Sequence, residues 1–287
     1  YDNQPYGNLF PETLKHAYQK HPYAWAPIGS LDDLNAAKDQ DFVDFYHTYY
    51  VPNNAVLSIA GDFNPEEAKK LIEKYFGEIQ KGKEIPRPTI VEPTNTGEVR
   101  DVIKVKDQLP LMVQAYHIPA QGTKEFYAVD MLNTLLSNGE SSRLNKNIVN
   151  DKELAMFCGA FTFNLEDPGL TLTYSLANMG VDIKDLEAAV NTEFERLKTE
   201  PISDNEFQKL RNQIESDFIS RNSSMAGIAE SLANYYTYFG DTNLINTEIN
   251  RYMAVTKEEM MAAAKKYYIP ENRVTLYFEH DPSLLKQ

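Results

Sequence analysis

The sequence predicts an α+β protein made of two related domains, the first of them short at its N-terminus. Three observations carry this. Helical and β-type apolar patterns are mixed along the whole chain: Phe42, Phe45, Tyr46 and Tyr49 recur at helical spacing, and 55–60 is a short continuous apolar run. A junction repeats, Tyr49-Tyr50-Val51-Pro52-Asn53-Asn54-Ala55-Val56 against Tyr267-Tyr268-Ile269-Pro270-Glu271-Asn272-Arg273-Val274, at a constant offset of 218. Between the copies lies a stretch with Pro86, Pro88, Pro93 and Gly97 that reads as a semi-extended linker.

Taken in order, the first helix is expected over 13–20 and an irregular loop over 21–30, broken by Pro22, Pro27 and Gly29. Ser30 is placed to cap a short turn at 31–34. A helix over 39–50 stops at Pro52, a buried strand over 55–60 ends at Gly61, and Asn64-Pro65-Glu66-Glu67 starts a helix that closes at Gly77. Beyond the linker, strands are expected at 99–105 and 111–118, helices at 125–137 and 141–150, and strands at 154–163 and 170–177 about an Asp167-Pro168-Gly169 turn. Helices at 183–199, 204–221, 225–239 and 257–267 precede a closing strand at 274–278. The domain reading is therefore 1–80, a linker over 81–98 with the boundary near residue 90, and 99–287.

Composition narrows the function. The 287 residues carry 28 Lys+Arg against 42 Asp+Glu, a formal charge of −14, which argues against nucleic acid as a partner because phosphate selects basic surfaces. Apolar residues at 42% suffice for a packed core, and no run approaches a membrane span. The single cysteine, Cys158, excludes a disulfide framework and a Cys-based zinc site. If the repeated copies are equivalent, the first lacks roughly 120 residues that precede the junction in the second. What remains would expose a large apolar face, so a longer protein or a partner chain is expected to cover it.

The chain resembles the M16 (pitrilysin, insulinase-like) zinc metallopeptidases. The resemblance runs through Tyr1-Asp2-Asn3-Gln4-Pro5-Tyr6-Gly7, His21-Pro22-Tyr23, Ile28-Gly29-Ser30, the Tyr50–Val56 junction and Gly61-Asp62-Phe63. It continues in Ser141-Ser142-Arg143-Leu144 and Glu153-Leu154-Ala155. It implies paired M16-like domains, each a mostly antiparallel sheet packed with helices. Residues 1–80 would be the end of a first domain, and 99–287 a complete second one. Members bind zinc with HxxEH on one helix and a more distal Glu, because His at i and i+4 share a helix face and the motif Glu activates water. By the resemblance, those ligands belong upstream of Tyr1, so zinc is expected in the intact protein, with no catalytic, metal or cofactor residue in this chain. The family also supplies an Arg and a Tyr seven residues apart that orient substrate and stabilise the oxyanion. Val149 and Met156 stand at those two positions, and the reading makes both structural.

The implied function is therefore part of a zinc metalloendopeptidase that hydrolyses peptides or unfolded polypeptides in a closed chamber, with this chain as a non-catalytic, chamber-framing domain. The alternative is a non-catalytic subunit for assembly or substrate binding. The partners are substrate and either a missing N-terminal segment or a partner M16-like half. A signal peptide on the full-length protein would place it in the cell envelope or periplasm. Other motifs read as structural. His16 and His21, five apart, lie about 140° off one helix face, too far to share a metal. They read as a surface helix end, and His47 and His117 as packing residues. Ser141 and Ser142 lack a nucleophile-elbow context. Glu66, Glu67, Glu258 and Glu259 are first-turn acids, and Tyr235, Tyr236 and Tyr238 read as core.

Overall fold

The computed structural model describes residues 4–286, so Tyr1-Asp2-Asn3 of the opening motif lies outside the described residues. In chain order the first helices are α1 (Leu9–Ala17), α2 (Leu31–Ala36), α3 (Asp39–Tyr49) and α4 (Pro65–Phe76). Strands β1 (Val99–Val105) and β2 (Leu111–His117), helix α5 (Lys124–Ser137), and strands β3 (Ala155–Phe163) and β4 (Leu170–Ala177) follow. Then come α6 (Ile183–Thr199), α7 (Asp204–Arg221), α8 (Met225–Phe239), α9 (Leu244–Met253), α10 (Lys257–Tyr267) and β5 (Arg273–His280).

Two compact units result. One gathers the segment ending at Ala26, Ile90–Gln213, and the chain from Asn250 onward; the other gathers Pro27–Thr89 with Ile214–Ile249. Sequence reasoning grouped the N-terminal segment with 27–80, whereas in the structure it packs on the sheet of the first unit. The reason is apolar burial: Leu14, Ala17 and Tyr18 of α1 join Val113, Ala115, Leu172 and Leu276 in one core.

That sheet has the order β1-β5-β2-β4-β3, with β1 parallel to β5 and the other pairs antiparallel. Side chains alternate between its faces. Val113 and Ala115 of β2 meet α1, while Gln114 donates to Asn191 of α6 at 2.9 Å and Tyr116 stacks near Phe194 of α6 at 5.3 Å. β2 is thus covered on both faces, which explains its nearly continuous apolar text. Helix ends follow local chemistry. Ser30 accepts from Asp33 N at 3.0 Å, Asn64 accepts from Glu66 N at 2.9 Å ahead of Pro65, and Thr256 with Glu259 closes a capping box.

Three expectations are corrected. Residues 55–60 make no ladder among the described residues: a strand exists only with a neighbour to bond, and the second unit's described residues supply none. The helix expected at 141–150 is a π-helical segment over Asn145–Asn150, entered through Leu144. Helix α9 was not foreseen, because Asp241, Asn243, Asn246 and Asn250 make the segment read as loop.

Candidate functional site

The positions where the resemblance expects an Arg and a Tyr lie next to the free edge of the sheet. Val149 sits in the π-helical segment, half-buried. The chain then turns through Glu153, whose φ of 52° is left-handed. Leu154 N donates to Ile148 O at 3.0 Å, and Asn178 N to Leu154 O at 3.0 Å, fixing the entry to β3. A bulge between Ala155 and Phe157 sets two residues against one and interrupts the alternation. Met156, in the bulge, is 58% exposed. Neither Val149 nor Met156 can donate a side-chain hydrogen bond, so the site offers no oxyanion partner there. Beside them, exposed Phe157 and Phe161 of the edge strand flank Tyr174 at ring separations of 5.0 and 5.9 Å.

The histidines do not converge. His16 Nδ1 lies 2.7 Å from Glu12 O and its Nε2 lies 3.0 Å from Asp101 Oδ2. His21 is buried, correcting its reading as a surface residue. Its Nδ1 accepts from Tyr23 N at 3.2 Å, and its Nε2 lies 3.3 Å from Asp167 Oδ2. His117 Nε2 donates to Ala17 O at 2.8 Å, and burial holds this ring below the usual imidazole range. His47 is exposed on α3, with its ring near Tyr46. Among the described residues no three His, Cys, Asp or Glu side chains gather as metal ligands, so the donor set does not fit zinc.

The first unit does carry a groove of about 510 Å³, lined by Tyr18, His21, Glu92, His117, Asp167 and Asn272 among others. Its polar groups are largely spent on the fold. Glu92 accepts three successive backbone N–H groups, Gln19 at 2.6 Å, Lys20 at 3.0 Å and His21 at 2.8 Å. This is an anion-binding nest filled by the protein's own carboxylate. Burial opposes the charge on Glu92, yet these donors, with His117 nearby, hold its carboxyl below the usual range. Sequence reasoning missed this latch because its halves lie far apart in the chain and nothing around Glu92 marks it as a partner.

Several of the remaining flagged residues make contacts within the fold. Ser141 Oγ accepts from Lys209 Nζ at 2.7 Å, and Arg143 forks onto Glu206 at 2.9 and 2.8 Å. Glu259 pairs with Lys124 at 2.5 Å, while Glu66 and Glu67 sit at the N-terminus of α4 beside Asn64. Tyr235 is buried and donates to Glu248, but Tyr236 and Tyr238 are exposed, so only one of the three belongs to the core.

Comparison with known proteins agrees with this geometry. The family model described as the peptidase M16 inactive domain matches residues 37–214. Zinc protease PqqE of Helicobacter pylori is 29% identical over 282 residues, covering 97% of this chain, which spans 63% of that relative's length. The crystal structure of a protease from Helicobacter pylori superposes with a TM-score of 0.91 at 28% identity, over 98% of this chain and 68% of that one. A peptidase M16 inactive domain from Pseudomonas fluorescens gives 0.84 at 18% identity, over 98% of this chain and 67% of that one, a likeness of fold. With a five-stranded α+β sheet domain, hydrophobic side chains at the Arg and Tyr positions, and a family match over most of its length, the chain belongs to the peptidase M16 inactive-domain family.

Proposed function

We propose that this chain is the non-catalytic, chamber-framing part of an M16-like zinc metalloendopeptidase that hydrolyses peptides or unfolded polypeptides. In this reading residues 1–80 descend from the end of a first M16-like domain, 81–98 link, and 99–287 form a complete second domain. Descent and packing differ for the N-terminal segment, which lies on the sheet of the later domain. The observation that carries the reading is the pairing of an M16-type fold with Val149 and Met156, two side chains without hydrogen-bond donors. Zinc would be held by residues of the intact protein upstream of Tyr1, where it would activate water; this chain would bound the reaction space. A subunit for assembly or substrate binding is the second reading, favoured by exposed Phe157 and Phe161 against half-buried Tyr174.

The test compares the intact protein with residues 1–287 for zinc content and chelator-sensitive cleavage of an unfolded peptide. The peptidase reading expects stoichiometric zinc and turnover in the intact protein, and neither in residues 1–287. An intact protein without zinc supports the second reading. Introducing Val149→Arg with Met156→Tyr into the intact protein is expected to leave kcat/KM unchanged. A gain of about tenfold, worth about 1.4 kcal/mol of barrier, would mean that this domain faces the reacting centre.

A further inference from the structure

We propose that residues 90–105 are a releasable strap, fastened to the sheet unit mainly by polar side chains, which opens as one piece while the rest of that unit stays folded. The inference is separate from the peptidase reading and does not depend on it.

The fasteners recur at every third residue. Glu92 accepts the N–H groups of Gln19, Lys20 and His21 at 2.6, 3.0 and 2.8 Å. Asn95 Oδ1 accepts from Gln19 Nε2 at 2.9 Å. Glu98 Oε1 accepts from Arg273 Nε at 2.7 Å and from Thr275 Oγ1 at 2.8 Å, both on β5. Asp101 Oδ2 lies 3.0 Å from His16 Nε2 of α1, and Lys104 Nζ donates to Glu279 of β5 at 2.8 Å. Between these points Arg100 bridges Glu98 at 2.8 Å and Glu187 of α6 at 2.7 Å. One segment is thus tied in turn to the residues just after α1, to β5 and to α1 itself. Burial opposes the charge on Glu98, yet its donors hold this carboxyl below the usual range, as they do at Glu92.

Apolar packing adds little to these ties. Of residues 90–105 only Asn95 and Val105 are buried, whereas β2 is buried at six of its seven residues. Apart from Val105, the buried core shared by α1 and the sheet comes from α1 with Tyr18, β2, β4 and β5. β1 has one neighbour, β5, and runs parallel to it, the slightly weaker kind of pairing. Shared apolar burial is what makes a strand unfold with its core. Polar contacts between part-exposed groups can be exchanged for water at small net cost. The docking of 90–105 is therefore separable from the rest of the sheet: β5, β2, β4 and β3 keep their order and their core when it leaves.

Opening has two consequences. It bares the edge of β5, whose backbone groups then face water or another strand. It also lengthens the free chain where the polypeptide returns to the sheet unit, between Thr89 and Ile90. Closed, the strap pins that return point to the sheet; open, it lets the preceding linker reach further. The fasteners work as a set, since the backbone between Glu92 and Glu98 cannot leave one anchor while both neighbours stay fixed.

Amide hydrogen exchange, read residue by residue on the intact protein, tests this. We expect 99–105 and the amides of Gln19, Lys20 and His21 to share one protection, at least about a hundredfold below that of 111–117. Within β5, the alternate amides turned to β1 should exchange with the strap, and those turned to β2 with the sheet. Each end should also report on the other. Glu98→Gln is expected to lower protection at 19–21, and Glu92→Gln at 99–105, by about tenfold each, because both ends open in one event. Equal protection at 99–105 and 111–117 overturns the proposal. So does a variant felt only at its own end, or a β5 whose amides all exchange together. Should a variant not fold, the comparison of 99–105, 19–21 and 111–117 in the unaltered protein decides by itself.

Discussion

Glu92 spends its carboxylate on the backbone. Its three N–H partners hold its pKa below the usual range despite burial, so the charge stabilises the fold wherever the unfolded chain would also be ionised. Because the folded pKa is depressed, this contribution is complete above the unfolded value and is lost as pH falls through the folded one. Glu92→Gln is expected to cost about 1–2 kcal/mol at neutral pH, a figure discounted for solvent screening, and almost nothing in acid. Urea midpoints at both pH values check it; equal losses would contradict it. Cys158 behaves oppositely. Burial pushes its thiol up to about 12, with Ser175 Oγ at 3.1 Å easing the shift, so the reactive thiolate is absent at neutral pH. A thiol reagent is expected to label it only once denaturant unfolds the sheet. The composition alone identified Cys158 as a lone thiol. Nothing at Glu92 announced the nest, since a glutamate between a valine and a proline in a linker looks like any solvated acid.

At the scale of elements, the turn into β3 carries its own strain. Glu153 is an exposed side chain at φ 52°, a conformation that costs a residue with a Cβ. Glu153→Gly should raise stability by about 0.5–1 kcal/mol, seen as a higher thermal midpoint, because glycine relieves the strain at some cost in unfolded-chain entropy. A lower midpoint would mean that the side chain is doing something the geometry does not reveal. The sequence made most helices legible through their ends: Ser30, Asn64-Pro65 and Thr256 with Glu259 cap where their chemistry says they should. It misjudged 55–60 because strand propensity is a local property and a strand is not. Val56, Leu57 and Ile59 have the right side chains and no neighbour to bond within the described residues. The bulge at Met156 was not legible for a related reason: it is set by how two strands register, which an apolar run does not encode.

Across the whole molecule, the segment ending at Ala26 is the test of what belongs with what. Leu14 lies 2% exposed among residues of β2, β4 and β5. Leu14→Ala is expected to cost about 2–4 kcal/mol in the unfolding of the sheet unit, read by urea denaturation. A loss confined to the helices at 31–76 would mean that α1 belongs with them instead. The repeat holds in structure as well as in text, since the two junctions 218 residues apart share their backbone hydrogen bonds. It could not reveal that the N-terminal helix crosses to the later sheet, because amphipathic text names a buried face without naming what buries it.

The middle position of β5 also bears on how the chain is made. During synthesis β1, β2, β3 and β4 all emerge before it, yet β5 is the strand that joins β1 to the rest. Until Arg273–His280 leaves the ribosome, β1 has no neighbour, β2 offers an open edge, and Leu111 and Val113 lack their partners Phe278 and Leu276. Until then the sheet is unfinished, the state in which chaperone capture or strand exchange with another nascent chain is easiest.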